Sequence, residues 1–267
     1  MSDSIVASIP SFFIKPRIFE LGYSILGRSS SQISVFMRII KKGNIVFDVG
    51  ANMGSFTILF SHLVGSQGKV HVFEPVPPTF EKLAKNIARA HKSDRVVLNR
   101  CAISDHSGTT SIRLPASDHT EASLKEHTMA SWALKTVVSY DCELETLDRY
   151  VSLRNISKVD FVKIDVEGAE MLVLIGMQTI LKGSTPPILM LEIFVPWIRD
   201  FGFTVDDIFS FLDNAGYQIY FIGANKLTIC RDSTDIQKLP RFPDLVDFLC
   251  VPHNHNDKLL LLQELLQ

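Results

Sequence analysis

Residues 45–54 read IVFDVGANMG, a short apolar run that leads directly into a glycine-rich turn. An apolar run of this length is typical of a strand that is buried on both faces of a parallel sheet. After the turn, Phe56, Leu59, Phe60 and Leu63 follow at helix spacing. The stretch therefore predicts a strand, a turn and a helix, which is the repeating unit of an alternating α/β fold.

The same order of elements recurs farther along the chain. Residues 70–73 and 96–98 are predicted strands, and the predicted helix between them, over residues 77–90, is opened by two prolines. Residues 161–165 and 188–193 are again apolar and strand-like. Strands that alternate with helices predict a parallel sheet with helices on both sides.

The remaining segments are less regular. Residues 109–114 could form an extra strand, and helices are predicted over residues 168–181 and 205–214. Residues 115–136 are polar with weak periodicity, which suggests a loop or a lid over a site. The end of the chain has four apolar segments, predicted as strands at 217–222, 227–230 and 248–251 and as a leucine-rich helix at 257–267.

The length and composition fit one main domain, because 46% of the 267 residues are hydrophobic. We expect a helical N-terminal extension over residues 1–43, a domain over residues 44–252 and a tail with a short helix over residues 253–267. The N-terminus lacks the basic and apolar regions of a secretory signal, and no apolar stretch approaches the roughly 20 residues of a membrane span. The expected location is therefore the cytoplasm.

Charge and cysteine usage argue against several classes of function. A formal net charge of -2, with scattered Lys and Arg residues, argues against an electrostatic grip on nucleic acid. The four cysteines are far apart and form no C-x-x-C pair, so we expect reduced thiols rather than a zinc site or a disulfide framework. His253 and His255 lie in a polar tail without a matching carboxylate, and we expect no metal site there.

The turn at residues 48–54 is predicted to bind a ligand. Open α/β sheets bind ligands at the carboxyl ends of parallel strands, where the strand order reverses, and glycines let the backbone come close to the ligand. Ala51 and Asn52 interrupt the dinucleotide pattern G-x-G-x-x-G, which argues against a bound pyrophosphate. Asp48 at the end of the strand is better suited to a cationic ligand.

Glu74 ends the second predicted strand, twenty residues beyond Gly54. A carboxylate in that position can accept hydrogen bonds from both ribose hydroxyls of a nucleoside. The spacing fits a nicotinamide-dependent oxidoreductase equally well, so Glu74 does not separate that class of enzyme from the others.

Charged side chains gather at the end of the fourth predicted strand. Lys163 and Asp165 point the same way, because side chains of a strand alternate with a period of two, and each needs a partner or a task if it is buried. Glu192, in the next apolar strand, is a candidate partner for Lys163. Glu167 and Glu170 are better explained as structural, since acidic groups stabilise the start of the helix that follows.

Five motifs occur in a fixed order: VFDVGANxG at residues 46–54, FEP at 73–75, Ala102 with Asp105, TLD at 146–148 and FVKIDVEGAE at 161–170. Together they resemble the FkbM family of methyltransferases, which use S-adenosylmethionine. The resemblance is strong over residues 44–194 and weak from there to Pro252. The ordered combination is specific, whereas each motif alone would be a weak signal.

The resemblance implies a class I methyltransferase fold, a Rossmann-like three-layer sandwich whose seven-stranded, mostly parallel sheet has an antiparallel last strand. It implies transfer of the methyl group of S-adenosylmethionine to a hydroxyl oxygen of a sugar, a polyketide or a related small molecule. The implied cofactor contacts are Asp48, Gly50, Asn52 and Gly54 around the methionine part and Glu74 at the ribose. The segment Cys101 to Asp105 would border the adenine, with Ser104 and Asp105 as its polar candidates.

Methylation of a hydroxyl group needs a base that takes the proton as the oxygen attacks. Asp165, which could also contact the cofactor, is the first candidate, and Glu192 is the second. Lys163 could serve only if burial lowered its pKa, which the nearby carboxylates oppose. A divalent ion bound by Asp165 and Glu192 could acidify the hydroxyl instead, although the sequence does not require one.

The acceptor of the methyl group cannot be read from these motifs. His119, His127 and Trp132 could line an acceptor pocket, although such residues more often pack or lie on a surface loop. The N-terminal helix could cover the acceptor side or mediate a homodimer, and simple packing explains its pattern equally well. A nicotinamide-dependent oxidoreductase and a non-catalytic binding protein on the same fold are the alternatives.

Overall fold

A computed structural model describes residues 30–116, 121–128, 132, 136–223, 226–238, 245–255 and 262. Its strands are β1 Ile45–Val49, β2 Lys69–Phe73, β3 Val96–Asn99, β4 Ala102–Ile103, β5 Gly108–Pro115, β6 Val137–Glu145, β7 Phe161–Ile164, β8 Ile188–Phe194, β9 Tyr217–Ile222, β10 Leu227–Cys230 and β11 Leu245–Pro252. Its helices are α1 Ser30–Ile39, α2 Ser55–Leu63, α3 Pro77–Arg89, α4 Leu147–Leu153, α5 Glu170–Ile175, α6 Gln178–Leu181, α7 Val195–Asp200, α8 Val205–Asn214 and α9 Ser233–Gln237.

The main sheet has eight strands in the order β10-β9-β11-β8-β7-β1-β2-β3. β1 lies in the centre and pairs in parallel with β2 on one side and with β7 on the other. From β1 the chain adds β2 and β3 on one side of the sheet. It later returns to the other side of β1, where it adds β7 and then β8. The carboxyl ends of β1 and β7 therefore lie where the strand order reverses, which is the edge at which open α/β sheets bind ligands.

Two hydrophobic cores cover the two faces of this sheet, as expected for strands buried on both sides. Successive residues of β1 point to opposite faces, so Val46 joins the core beneath α1, α2 and α3. Phe47 joins the other core, beneath α4, α5 and α8. The predicted three-layer α/β sandwich is confirmed.

The number of strands differs from the predicted seven. β10 pairs antiparallel with β9 and adds an eighth strand at the edge of the sheet. The predicted antiparallel last strand is confirmed, because β11 inserts antiparallel between β8 and β9. The extra strand lies far from the reversal point and leaves the ligand-binding edge unchanged.

Residues 137–145 form β6, at a place where the sequence pattern predicts no element. β6 pairs antiparallel with the whole of β5 and in parallel with β4, which gives a separate three-stranded sheet. The predicted extra strand at residues 109–114 is confirmed as β5.

The helix predicted over residues 168–181 is divided at Gly176 into α5 and α6. A Cβ atom at Gly176 would lie 2.0 Å from the carbonyl oxygen of Ser104, so the backbone there is pressed against another loop. Residues 1–29 and, apart from Leu262, the predicted helix at 257–267 lie outside the described residues. In the part of the chain that is described, no helix is both long and apolar enough to cross a membrane.

Candidate active site

A cavity of about 610 Å³ lies at the carboxyl ends of β1, β2, β7 and β8. We call the part lined by the loops after β1 and β2 the β2 side, and the part lined by the ends of β8 and β11 and by α7 the β8 side. Seven predicted site residues line it, namely Asp48, Gly50, Asn52, Glu74, Lys163, Asp165 and Glu192. The structure thus brings together most of the residues that the sequence selects from four separate strands.

The loop after β1 depends on Gly50. Its φ of +79° is in the left-handed region, and a Cβ atom would lie 1.7 Å from the carbonyl oxygen of Asp165. No residue other than glycine can occupy this position without moving the backbone. The loop after β1 and the end of β7 therefore approach each other more closely than side chains would allow.

Glu74 fixes the shape of the same loop from the end of β2. Its Oε2 accepts a hydrogen bond from the backbone N–H of Asn52, and its Oε1 accepts one from Val76, both at 2.9 Å. Burial raises the pKa of Glu74 to about 7, although the two backbone N–H groups act in the opposite direction. Each oxygen keeps a second lone pair, so the carboxylate can still accept hydrogen bonds from a ligand in the cavity.

Asp48 is buried at the end of β1, with only 1% of its surface exposed. Its Oδ2 accepts a hydrogen bond of 2.5 Å from the hydroxyl of Thr57, whereas its Oδ1 has no partner within the described residues. Burial raises the pKa of Asp48, and the ammonium group of Lys163 opposes this shift. Because burial disfavours the negative charge of Asp48, a cationic group beside it stabilises the ionised carboxylate.

Lys163 donates a hydrogen bond of 2.7 Å to Oδ2 of Asp165, two residues along the same strand. The charge of Glu192, the partner that the sequence suggests, also acts on Lys163. Burial disfavours its charged form, but Asp165, Asp48 and Glu192 outweigh burial and hold its pKa above the ordinary value. Lys163 therefore stays protonated and cannot take a proton from a hydroxyl group. Its hydrogen bond restrains the carboxylate of Asp165.

Glu167 and Glu170, which the sequence groups together as structural, have different surroundings. Glu170 is buried and its Oε1 accepts hydrogen bonds from the backbone N–H groups of Val166 and Gly168, which stabilises the turn before α5. Glu167 lies in that turn with a φ of +54° and lines the cavity. The structural interpretation therefore fits Glu170, while Glu167 faces the site.

Aromatic rings form a wall on the β8 side. Phe194 ends β8, Trp197 follows it in α7, and their rings meet edge to face with centroids 4.8 Å apart. Both residues line the cavity, together with Asp247 of β11. Asp247 is the register partner of Glu192 on the neighbouring strand β8. None of these three residues was predicted from the sequence, although Phe194 and Trp197 follow a predicted strand end at which ligands are expected.

Residues 121–128 close the β8 side, and we call them the strap. Leu124 in the strap lines the cavity, and the hydroxyl of Ser123 donates to the carbonyl oxygen of Glu167 at 3.2 Å. His127 stacks on Trp197 with ring centroids 4.3 Å apart, and its Nδ1 lies 2.9 Å from Oδ2 of Asp200. These contacts attach the strap to α7 and to the turn after β7.

Two of the three residues predicted to line an acceptor pocket, His127 of the strap and Trp132, lie within the described residues. His127 and Trp132 are buried and pack edge to face, with centroids 5.1 Å apart, and neither lines the cavity. His119 lies outside the described residues. His127 and Trp132 support the wall of the cavity rather than forming it.

Three of the predicted cofactor residues do not line the cavity. Gly54 lies behind the loop, where its φ of +89° and the side chain of Leu83, 2.4 Å from a would-be Cβ atom, require glycine. Ser104 is buried and donates to Asp105, which pairs with His106 at the surface. The residues that line the cavity in this region are instead Cys101, Ala102 and Ile103.

Acidic groups dominate the cavity. Within the described residues, the lining contains seven carboxyl side chains, Asp48, Glu74, Glu121, Asp165, Glu167, Glu192 and Asp247, and one ammonium group, that of Lys163. None of the described His, Cys, Asp and Glu residues form a group of three suited to hold a metal ion. The four cysteines are free thiols. The cavity is therefore suited to a ligand with positive charge and without phosphates.

S-adenosylmethionine fits these features. Its sulfonium and ammonium groups are positive and it has no phosphate, while its ribose offers two hydroxyl groups to a carboxylate such as Glu74. The close approach of Gly50 to Asp165 places the loop after β1 beside the charged end of β7. The unpartnered Oδ1 of Asp48 is a further polar group at the same end.

Curated proteins with related sequences are methyltransferases. The chain is 32% identical over 162 residues to the 31-O-demethyl-FK506 methyltransferase FkbM of Streptomyces tacrolimicus, a match that covers 52% of this chain and 61% of that protein. It is 30% identical over 150 residues to the hexuronic acid methyltransferase AglP of Haloferax volcanii, covering 56% of each. The chain thus spans less than two thirds of the length of these relatives.

A solved structure shows the same fold. A candidate rRNA-methylase from Clostridium thermocellum superposes with a TM-score of 0.51 at 12% identity, over 85% of this chain and 94% of that chain. The sequence also matches the Methyltransferase FkbM domain over residues 48–219, which is well over half of the chain and contains every motif after the first strand. The resemblance seen in the sequence is confirmed, and the chain belongs to the FkbM methyltransferase family.

Proposed function

We propose that the chain catalyses transfer of the methyl group of S-adenosylmethionine to a hydroxyl oxygen of a sugar, a polyketide or a related small molecule. One observation carries the proposal: a single cavity joins a cofactor-type loop after β1 to the carboxylates at the ends of β7 and β8. The two methyltransferase relatives support it, since their names specify 31-O-demethyl-FK506 and hexuronic acid.

The β2 side would hold the cofactor, which supplies an electrophilic methyl group when it is bound. Gly50 and Asn52 would contact its methionine part, and Glu74 would accept hydrogen bonds from its ribose. Of the segment expected along the adenine, Cys101, Ala102 and Ile103 line the cavity and would contact that ring, whereas Ser104 and Asp105 do not line it. The chain's contribution to the rate would come from placing the two reactants in line and excluding water.

Asp165 is the proposed base. It lies between the two sides of the cavity, and Lys163 fixes the orientation of its carboxylate through the 2.7 Å contact at Oδ2. Within the described residues, no donor is bonded to Oδ1, which is therefore available for the proton of an acceptor hydroxyl. Glu192, one strand farther on, is the second candidate for this role.

Binding of two cofactors by calorimetry tests the proposal against its main alternative. We expect S-adenosylhomocysteine to bind to the purified chain and NAD to give no heat of binding. Tight binding of NAD alone would favour the nicotinamide-dependent oxidoreductase. Binding of S-adenosylhomocysteine without any methyl transfer to a panel of hydroxyl compounds would favour a binding protein on the same fold, and loss of turnover with a chelator would establish the metal-assisted route.

The location and the partners of the chain belong to the same proposal. A small-molecule or glycan acceptor, a cytoplasmic location, a homodimer and the lack of a nucleic-acid partner are predictions from the sequence. The position of α1 bears on the prediction that the N-terminal helix covers the acceptor side. Gln32 of this helix lines the cavity, and Val35 and Phe36 are buried in the core. This contact supports a role for the N-terminal segment in covering the acceptor.

A further inference from the structure

The end of β8 and the start of β11 present two pairs of side chains to the cavity. Glu192 is the register partner of Asp247, and Phe194 is the register partner of Leu245. All four residues line the cavity, as expected for side chains that lie two residues apart on the same face of a sheet. Each of the two strands therefore contributes one carboxyl group and one apolar group to the same space.

The two pairs lie at different distances from the proposed base. β7 and β8 pair in parallel, and extending their register by one residue puts Asp165 at the level of Glu192. We call Phe194 and Leu245 the apolar pair. A strand rises about 3.3 Å per residue, so the backbone of the apolar pair lies roughly 6–7 Å beyond this level. An acceptor with its hydroxyl at Asp165 could thus extend to the apolar pair with another part of its body.

The apolar pair is open to the cavity, since Leu245 is 49% exposed and Phe194 is half-buried. Four large hydrophobic side chains are exposed in the part of the chain that the structure describes, and two of them, Met53 and Leu245, line this cavity. Leu124 of the strap lines it as well. Single exposed hydrophobic residues are ordinary on a protein surface, whereas apolar side chains grouped in a concave site indicate a ligand with apolar surface.

Phe194 is supported by closely packed neighbours. Its ring meets that of Trp197 edge to face, with centroids 4.8 Å apart. Trp197 is itself held in place, because His127 stacks on it at 4.3 Å and because a Cβ atom at Gly168 would lie 2.8 Å from its carbonyl oxygen. A surface that is formed in advance loses little conformational entropy when a ligand binds.

The side chains of Leu124, Phe194 and Leu245 cannot form hydrogen bonds. A hydroxyl group placed against them would lose its hydrogen bonds to water without replacement, which is unfavourable, whereas a hydrocarbon group would gain from leaving water. An acceptor hydroxylated on every carbon therefore suits this part of the cavity poorly.

We propose that Phe194 and Leu245 form an apolar subsite, which binds a hydrocarbon part of the acceptor while the methylated hydroxyl lies at Asp165. The acceptor class is then an alcohol or a glycoside that carries a hydrocarbon group, rather than a free sugar. The inference rests on the proposed function and names the acceptor class of the same site.

Binding of two glucosides tests the subsite. With the protein saturated by S-adenosylhomocysteine, methyl α-D-glucopyranoside and hexyl α-D-glucopyranoside are titrated by calorimetry, the latter below the concentration at which it forms micelles. The two compounds have the same hydroxyl groups and differ only in the length of the alkyl chain. We expect the hexyl glucoside to bind at least about 10-fold more tightly. Equal affinities, or no saturable binding of the hexyl glucoside, would overturn the proposal.

Substitutions show where the alkyl chain binds. Leu245→Asn should weaken binding of the hexyl glucoside by about 5-fold and change that of the methyl glucoside by less than about 2-fold, whereas Leu245→Met should keep the preference. Ile229→Asn is the matched control, because Ile229 is a strand residue with a similar exposure of 42% that does not line the cavity. An unchanged preference in Leu245→Asn, or an equal loss in Ile229→Asn, would contradict the proposed subsite.

Binding of S-adenosylhomocysteine separates the failure of this proposal from the failure of the proposed function. We expect Leu245→Asn and Ile229→Asn to bind it as the parent chain does, because Leu245 lies on the β8 side and Ile229 lies outside the cavity. A parent chain that does not bind S-adenosylhomocysteine would defeat the proposed function. A parent chain that binds it and shows no preference for the hexyl glucoside would defeat the apolar subsite alone.

Discussion

The two sides of the cavity are built in different ways. On the β2 side the essential contacts come from backbone, with Gly50 pressed against the carbonyl oxygen of Asp165 and the N–H of Asn52 bonded to Glu74. On the β8 side they come from side chains on elements that are distant in sequence, such as Trp197 in α7 and Asp247 in β11. The β2 side is therefore sensitive to changes of backbone geometry, whereas the β8 side can change its lining residues without disturbing the fold.

Gly50→Ala should have the largest effect, because it places a Cβ atom where the backbone of Asp165 already lies. Gly43→Ala is the matched control, since Gly43 has a similar φ of +85° and no atom within 4 Å of a would-be Cβ. The left-handed backbone should lower the free energy of unfolding of both variants by about 1–3 kcal/mol. Overpacking should lower that of Gly50→Ala by about 1–3 kcal/mol more. Urea unfolding measures this difference, and calorimetry should show that only Gly50→Ala loses S-adenosylhomocysteine.

Equal stability and equal cofactor binding in the two alanine variants would contradict the claim that the β2 side is sensitive to changes of backbone geometry.

Asp165→Asn is expected to come next, because it removes the proposed base and leaves the shape of the site unchanged. A positioned base contributes roughly 10²–10⁴-fold to the rate, so kcat should fall by about that factor. The measurement is transfer of radiolabelled methyl groups under saturating cofactor. Asp206→Asn, a change of an exposed residue that binds Ser233 outside the cavity, should leave kcat unchanged. A parent rate in Asp165→Asn, with normal cofactor binding, would show that another group takes the proton.

Glu74→Gln should have a smaller, pH-dependent effect on the β2 side. The folded protein keeps the Glu74 proton up to a pKa of about 7, whereas an unfolded chain loses it near 4.5, so stability falls as the pH rises between these values. The ionised carboxylate accepts ribose hydroxyls better, so cofactor affinity should rise, by up to about 10-fold, as the pH passes through 7.

Calorimetry with S-adenosylhomocysteine at pH 6, 7 and 8 should show this rise in the parent and in Glu81→Gln, a change on the exposed surface of α3. It should be absent from Glu74→Gln, and a rise that persists there must come from a different group.

Asp200→Asn should have the smallest effect and should concern the β8 side alone. Asp200 accepts hydrogen bonds from the N–H and the hydroxyl of Thr128 and lies beside Nδ1 of His127, so the change loosens the strap. We expect methyl α-D-glucopyranoside to bind about 3-fold more weakly, through a loss of well under the 1.4 kcal/mol that a tenfold change requires. Cofactor binding should not change, and a weakened cofactor would show that the two sides are not independent.

The same difference explains how much of the site could be predicted from the sequence. The loop after β1 could be predicted because its chemistry is local: a strand, a turn and the glycines that the turn requires occur within ten residues. Lys163 and Asp165 could be selected because two charges in a buried strand need an explanation. The partner of Lys163 could not, because the distance to Asp165 and the distance to Glu192 depend on side-chain conformation and on strand register.

The rest of the site depends on contacts between distant segments. Asp247 faces Glu192 only because β11 inserts antiparallel beside β8, and neither segment carries a signal for that pairing. The division of the predicted helix at Gly176 likewise depends on the loop at Ser104. Glu167 and Glu170 are three residues apart and chemically identical, and only the fold decides that one braces a turn while the other faces the cavity.

The excess of carboxyl groups over ammonium groups in the cavity has a consequence for turnover. In the proposed reaction, a methyl donor would arrive with a positive sulfur atom and leave as an uncharged thioether, so the attraction of the ionised carboxylates in the lining would weaken once the methyl group is transferred. The same charges that recruit the donor therefore favour release of the spent cofactor. In the proposed reaction, each methyl transfer would therefore lower the electrostatic part of the cofactor's affinity and so reduce product inhibition.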